Sequence, residues 1–264
     1  MVIDFHLHHF RKEGFVLNAL REMDRAGVEK SLLLATPGLI FLESVMGSNE
    51  DVLQQVEEHP DRFIGCMYID PRDKNAIEEV EKYHQKGFKC IKMYPPVGFY
   101  PDDPKWSSVF EYIDELRIPI LSHTGLNGIP MVNKKGEKRK VTNSAFALPI
   151  YFDSPARLYP NINFILAHMG YPFYTQAWSV AHLNPNVYLD ISGAGPWAEG
   201  IPKEYNAIGG YIPIDFNRVI WGSDNHLPPK ESIELFLQLL REMKVPEKHK
   251  AAIFGETARK ILHV

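Results

Sequence analysis

Eight short apolar runs recur along the chain, and stretches with helical periodicity separate most of them. The runs are residues 2–8, 31–35, 63–69, 90–94, 118–123, 163–168, Val187–Ile191 and 218–222. Several are apolar throughout, as in Ser31-Leu32-Leu33-Leu34-Ala35, rather than alternating. Strands buried on both faces read this way. Between the runs, residues 15–26 place Val16, Leu17, Leu20 and Met23 on one helical face, with Gly27 as a stop. Residues 49–58 carry Val52, Leu53 and Val56 and end before Pro60. Residues 75–85, 109–116, 232–243 and 248–262 extend the alternation to the end of the chain. Strand then helix, repeated eight times, specifies a parallel sheet with crossover helices. The 264 residues match the roughly 250 that a single (β/α)8 barrel needs. An open doubly wound sheet would carry a G-x-G-x-x-G after an early strand, and none is present. No repeat, linker or low-complexity tract interrupts the pattern. The expectation is therefore an α/β fold, one (β/α)8 TIM barrel domain over residues 1–264.

Composition narrows the partners. A net charge of −4 argues against a dedicated nucleic-acid binder. The apolar runs fall short of the roughly 20 residues a membrane span needs. The chain enters its first strand-like run at once, so no secretory leader is expected. Two cysteines, Cys66 and Cys90, cannot build a disulfide framework and read as buried thiols. A cytoplasmic protein with a small-molecule substrate, no nucleic-acid or membrane partner and a homodimer among its expected assemblies fits these features.

In such a barrel the C-terminal strand ends face the active site. The first run carries His6 and His8, the fourth Lys92 and Tyr94. The fifth ends in His123, the sixth in His168, and Ser223-Asp224 follows the eighth. Side chains on a strand repeat every two residues, so His6 and His8 point the same way and offer two neutral imidazoles to one ion. His9 points elsewhere and reads as structural. With His123, His168 and Asp224 at other strand ends, the set points to a divalent metal: zinc first, then manganese, iron or nickel. Alternation also puts Lys92 and Tyr94 on one face, and Asp4 on the face of His6 and His8, one layer deeper. A buried ammonium at Lys92 requires a partner. His59, His84, His182, His249 and His263 fall on helices or loops and read as structural.

The stretches VIDFHLHHF, HTG, ILAHMG and VIWGSD occur in this order. EEHPDRFIGCMYIDP, GFKCIKMYPP, NVYLDISG and FGETARKIL support them. Together they resemble the amidohydrolase superfamily across nearly the whole chain. Within it they resemble the amidohydrolase-2 family, the group of aminocarboxymuconate-semialdehyde decarboxylase, resorcylate decarboxylase and 2-pyrone-4,6-dicarboxylate hydrolase. The resemblance implies that His6, His8, His123 and Asp224 hold one divalent ion. It implies that His168 is the general acid/base, with Asp224 sharing proton transfer. Lys92 corresponds to a lysine that is carboxylated and bridges two metals in other branches; here a substrate-binding or buried, paired lysine is expected. Two departures stand out. Asn225-His226 occupies the place of an aromatic residue and a proline in many relatives, so His226 reads either as a substrate contact or as a surface or capping histidine. Thr257 replaces a usual asparagine and concerns packing.

The expected function is a metal-dependent hydrolase of a small organic acid, lactone, ester or amide, with Lys92, Tyr94 and His226 as candidate substrate contacts. A non-oxidative decarboxylase or hydratase could use the same site. A TatD-type nuclease would carry glutamate at the end of the fourth strand, and a purely ligand-binding barrel would not need the intact His/Asp set. Residues 126–143 form a long connection with a basic run, KKGEKRK, at 134–140. It reads either as a solvated hairpin or as a lid over an anionic substrate. Tyr171, Phe173, Tyr174 and Trp178 read either as helix packing or as a wall for a planar or carboxylated substrate.

Overall fold

The computed structural model describes residues 1–36, 45–128, 143–208 and 211–264. Eight parallel strands follow one another in chain order: β1 (Ile3–His8), β2 (Lys30–Leu34), β3 (Phe63–Tyr68), β4 (Cys90–Met93), β5 (Ile120–Ser122), β6 (Phe164–Leu166), β7 (Val187–Ile191) and β8 (Val219–Trp221). Helices alternate with them: α1 (Phe15–Ala26), α2 (Asn49–Glu58), α3 (Ala76–Gln85), α4 (Ser107–Leu116), α5 (Asp153–Leu158), α6 (Tyr174–Leu183), α7 (Pro196–Ala207) and α8 (Pro229–Glu242). A last helix, α9 (Thr257–Leu262), follows. The architecture is a TIM barrel. Among the described residues no helix is long and apolar enough to cross a membrane.

Two apolar layers hold it together. Leu32, Leu34, Cys66, Cys90, Leu121, Ile165 and Ile220 fill the barrel, and Ala258, Ile261 and Leu262 of α9 join that cluster. Leu33, Ile91, Met93, Phe164 and Val219 belong to the other cluster, shared with the helices. Tyr174 and Trp178 are buried within it, so these two aromatics pack α6 rather than wall a site.

Three local readings need correction. β5 and β6 are shorter than the apolar runs, so His123 and His168 follow their strands instead of ending them. Residues 248–262 are not one helix: a 3-10 turn, Glu247–His249, and a π turn, Ala252–Glu256, precede α9. There the backbone of Gly255 packs so tightly that a Cβ would lie 2.1 Å from the Met1 carbonyl oxygen. Strand alternation also does not run unbroken through β1. Its register against β2 shifts between Asp4 and Leu7. Ile3 and Phe5 join the barrel filling, while the Asp4 carboxylate accepts bonds from Ser223 N (2.9 Å), Ser223 Oγ (2.6 Å) and His6 N (3.0 Å).

Those bonds lie along a seam. Each strand pairs with the next from β1 to β8, but among the described residues no ladder joins β8 back to β1. Gly222 makes the close approach feasible: a Cβ there would sit 2.4 Å from His6 Cβ. Away from the seam, Arg218 Nη1 donates to the carbonyls of Ala181, Asn184 and Val187 at 2.7, 2.8 and 3.0 Å, tying the lead-in to β8 to the α6–β7 turn.

The rim above β1 and β2 is built by charge. Ser48 caps α2 through a reciprocal capping box with Asp51. Arg11 Nε and Nη2 both donate to Asp51 Oδ2, at 2.9 and 2.7 Å. Phe10 bridges to Met46 between these anchors, and both residues line the central cavity. The lid expected over 126–143 falls mostly on 129–142, which lie outside the described residues.

Burial alone would raise the Asp51 carboxyl, but Arg11 and Ser48 outweigh it and hold it at about 2. A depressed carboxyl stabilises the fold above its ordinary value of 3.8 and loses that contribution as pH falls toward 2. With solvent screening, the contribution is on the order of 1 kcal/mol. Asp51→Asn should therefore lower Tm by roughly 2–4 °C at neutral pH. Thermal melts between pH 4 and pH 2 should show a shallower acid loss for the variant than for wild type.

Candidate active site

The C-terminal mouth of the barrel gathers an unusual number of buried polar groups, and His6 is their centre. Its ring is fully buried. Nδ1 lies 2.8 Å from Asp190 Oδ2, on β7, and 3.3 Å from Ser192 Oγ. The Asp190 carboxylate can only accept, so it fixes the proton on Nδ1 and turns the Nε2 lone pair inward. Three groups meet that lone pair: Lys92 Nζ at 3.1 Å, His8 Nε2 at 3.2 Å and Asp224 Oδ1 at 3.3 Å. His8 Nε2 is also 3.3 Å from Asp224 Oδ1. His8 itself is oriented by Thr36, whose Oγ1 is 2.7 Å from Nδ1.

His6 Nε2, His8 Nε2 and Asp224 Oδ1 thus form a triangle of nearly equal sides. Donors bound at zinc-like lengths in a tetrahedron stand about 3.3 Å apart. Lys92 Nζ, 3.1 Å from His6 Nε2, already brings one cation to this group, and a divalent ion among the three atoms would meet each at bonding distance. His123 adds a second indication: its Nε2 is buried and has no hydrogen-bond partner among the described residues, a situation costing about 1–3 kcal/mol in an apolar setting. Imidazoles with one carboxylate are a donor set suited to a divalent ion, and the residues fit one. Taken more widely, His6, His168 and Asp224 each present a ligand atom within 4.8 Å of the others.

Lys92 has the partner its burial demands. Burial pushes its ammonium below the ordinary lysine value, while Asp224 and Asp190 oppose that shift. Burial likewise lowers His6, His8 and His123. It would raise Asp224, but His6, His226 and His8 hold that carboxylate well below its ordinary value.

His168 sits beside this cluster. Its Nδ1 is 2.9 Å from Ser192 Oγ and 3.9 Å from Asp224 Oδ2. Its backbone N–H donates to Asp190 Oδ1 at 3.3 Å. Burial pushes the imidazole down to about 4, against the pull of Asp224, so it is neutral at pH 7. The half-exposed His226 places Nε2 3.2 Å from Asp224 Oδ2, which raises its pKa. Tyr94 packs its ring 4.8 Å from that of His123 and donates its hydroxyl to Asn127 Oδ1 at 2.9 Å. Lys92, Tyr94, His123, His168, Asp224 and His226 line one cavity of about 350 Å³, at the small end of ligand pockets.

Backbone geometry aims two of these side chains. His168 and Met169 have φ of 57° and 47°, Asp224 and Asn225 have φ of 52° and 55°. Left-handed conformations cost roughly 1–3 kcal/mol for non-glycine residues, less for Asp and Asn, and collect at functional sites.

Sequence reasoning missed Asp190, Ser192, Asn225 and Trp197. A carboxylate in the apolar run Val187–Ile191 was a usable signal, because a buried charge must have partners. Trp197 gave none: it arrives on α7, a helix with Pro196 and Pro202 that the apolar periodicity does not reveal. Its ring packs edge-on to His168 at 4.8 Å and stacks on Tyr171 at 5.6 Å.

A family profile described as amidohydrolase matches residues 3–264. Protein fluG of Emericella nidulans is 27% identical over 114 residues, which take in 42% of this chain. The match spans only 12% of that protein's length. An uncharacterised TIM-barrel protein of Bordetella bronchiseptica superposes with a TM-score of 0.76 at 19% identity, covering 99% of this chain and 98% of the other. A probable 2-pyrone-4,6-dicarboxylic acid hydrolase of Acinetobacter baumannii, with citric acid bound, gives 0.67 at 16% identity, covering 100% and 99%. A 2,6-dihydroxybenzoate decarboxylase in complex with 2,6-dihydroxybenzoate gives 0.67 at 17%, also covering 100% and 99%. At such identities the likeness to these three structures shows the fold.

The Asp190 contact makes a prediction at His6. Nitrogen-15 imidazole spectra of the metal-free protein should show the Nδ1–H tautomer at His6, and Asp190→Asn should weaken that preference. An Nε2–H tautomer in wild type would refute the assignment.

Proposed function

Because the chain belongs to the amidohydrolase family over residues 3–264, we propose that it is a metal-dependent hydrolase of a small organic acid, lactone, ester or amide. The observation that carries this reading is the triangle of His6 Nε2, His8 Nε2 and Asp224 Oδ1, with a neutral His168 standing beside it.

His6, His8, His123 and Asp224 would hold one divalent ion, zinc first, with manganese, iron or nickel as alternatives. When bound, such an ion supplies Lewis-acid chemistry, polarising a carbonyl and making water more acidic. The remaining steps belong to the protein. His168, anchored at Nδ1 by Ser192, takes a proton from water at Nε2 and returns it to the leaving group. Asp224, kept ionised, shares that transfer. Lys92 and His226 bring basic nitrogens to the cavity and Tyr94 a hydroxyl, which suits an anionic substrate. The cavity volume limits that substrate to a small one. Citric acid and 2,6-dihydroxybenzoate in two similar structures are acids of this size.

Non-oxidative decarboxylation is the second reading. The likeness to 2,6-dihydroxybenzoate decarboxylase favours it, and His168 would then protonate carbon in place of a leaving group. Turnover of a panel of small carboxylic acids, lactones, esters and amides in oxygen-18 water separates the two. Label in the organic product without release of CO₂ supports hydrolysis; release of CO₂ with an unlabelled organic product supports decarboxylation.

Two outcomes test the division of roles. His6→Ala or Asp224→Ala should leave a folded barrel without its ion, and full metal occupancy in both by elemental analysis would reject the ligand set. His168→Ala should retain about one ion per chain while kcat falls by about 10²–10⁴. The acid limb of the pH–rate profile should disappear with it. Loss of metal from His168→Ala would make His168 a ligand instead.

A further inference from the structure

The open seam between β1 and β8 runs through the candidate site, with His6 and His8 on one side and Asp224 on the other. At this level three hydrogen bonds cross it. Asp224 N–H donates to the His6 carbonyl at 2.6 Å. His8 N–H donates to Asn225 Oδ1 at 2.7 Å, and Asn225 Nδ2 donates to the His8 carbonyl at 3.2 Å. In a parallel ladder the N–H and C=O of one residue reach two different residues of the neighbouring strand. Here a single side-chain amide takes both. Asn225 therefore stands in for the missing stretch of β8.

We propose that Asn225 is a positioning residue that sets the separation of His8 from Asp224. The chemistry is specific. Only a group with one acceptor and one donor, held in a plane, answers both backbone groups of His8 at once. Asn225 is covalently next to Asp224, so fixing the amide against His8 fixes the carboxylate against the imidazole. Thr36 orients the His8 ring through Nδ1 but does not reach β8. Without the amide, what remains across the seam here is the bond from Asp224 N to the His6 carbonyl and, one residue earlier, the pair of bonds from Ser223 to Asp4, none of which touches His8. The position makes a second demand: with φ at 55°, it accepts Asn, Asp or Gly far more readily than other residues.

The proposal rests on the reading that His6, His8 and Asp224 hold an ion, and the test separates the two. Asn225→Gly removes the amide while leaving the backbone conformation accessible. Asn225→Asp keeps an acceptor for His8 N–H but loses the donor to its carbonyl. Arg218→Met, which removes the three bonds to the carbonyls of the α6–β7 turn and the contact with Asp215, on the side of β8 turned away from β1, is the control for lost stability. For each protein, zinc affinity is measured by competition with a chelator and cobalt is used for its absorption spectrum. Hydrogen exchange at the His8 amide is followed in the metal-free state.

Asn225→Gly should lose about 10–100-fold in zinc affinity, show an altered cobalt spectrum and exchange the His8 amide faster. Asn225→Asp should fall between it and wild type. Arg218→Met should lower Tm and leave affinity, spectrum and the His8 amide unchanged. The proposal is overturned if Asn225→Gly binds zinc as tightly as wild type with the same cobalt spectrum. It is equally overturned if Arg218→Met loses affinity in proportion to its loss of Tm. Should Asn225→Gly fail to fold, Asn225→Asp decides: wild-type affinity together with wild-type exchange at His8 rejects the role. A wild-type protein that binds neither zinc nor cobalt rejects the metal reading, and this proposal with it.

Discussion

Everything at the mouth of this barrel depends on the hydrogen bond between His6 Nδ1 and Asp190 Oδ2. It is made between two fully buried groups, and it decides which nitrogen of His6 faces the cavity. With Nδ1 committed, Nε2 can accept from the Lys92 ammonium and face His8 and Asp224. A barrel interior that holds a lysine, two aspartates and several imidazoles would be heavily penalised if these groups were left unpaired. The same carboxylate also receives the backbone N–H of His168, so the β7 strand end organises both the His6 side and the His168 side of the site.

The eight-strand order was legible because several strands are apolar on both faces and the crossovers from β1 to β5 carry periodic helices, a combination that a parallel barrel explains. The residues of the site were legible for a related reason. Histidine has little cause to stand repeatedly at the ends of buried strands, so His6, His8, His123 and His168 drew notice together. The period-two rule that aligned His6 with His8 failed one step further, at Asp4, because a register shift is a feature of two strands and cannot be seen in one. Asp190 was hidden by the opposite circumstance, being one polar residue in a strand that otherwise reads as core. Trp197 and Asn225 owe their positions to a proline-bearing helix and a left-handed turn, neither of which has an apolar rhythm to follow.

The rim and the mouth are held by different physics. Around the cavity floor, burial sets the protonation of each group, and small displacements change several of them together. At the Phe10–Met46 edge the anchors are Arg11, Asp51 and Ser48, which work in partial contact with solvent and yield to salt and acid. The cavity therefore has a rigid base and a wall that changing solvent conditions loosen first. A substrate's reacting end and its distal end meet surroundings of different stiffness.

The placing of Trp197 has a practical consequence. Trp178 and Trp221 are buried in the body of the fold, and Trp106 lies on the turn before α4, next to Phe99. Trp197 lines the cavity, in edge contact with His168 and 5.7 Å from the ring of His226. Indole emission responds to the charge and polarity beside the ring. The site thus contains its own optical reporter, and compounds that enter it can be ranked by their effect on fluorescence before any product is known. This turns the search for ligands from an assay of turnover into a titration of light.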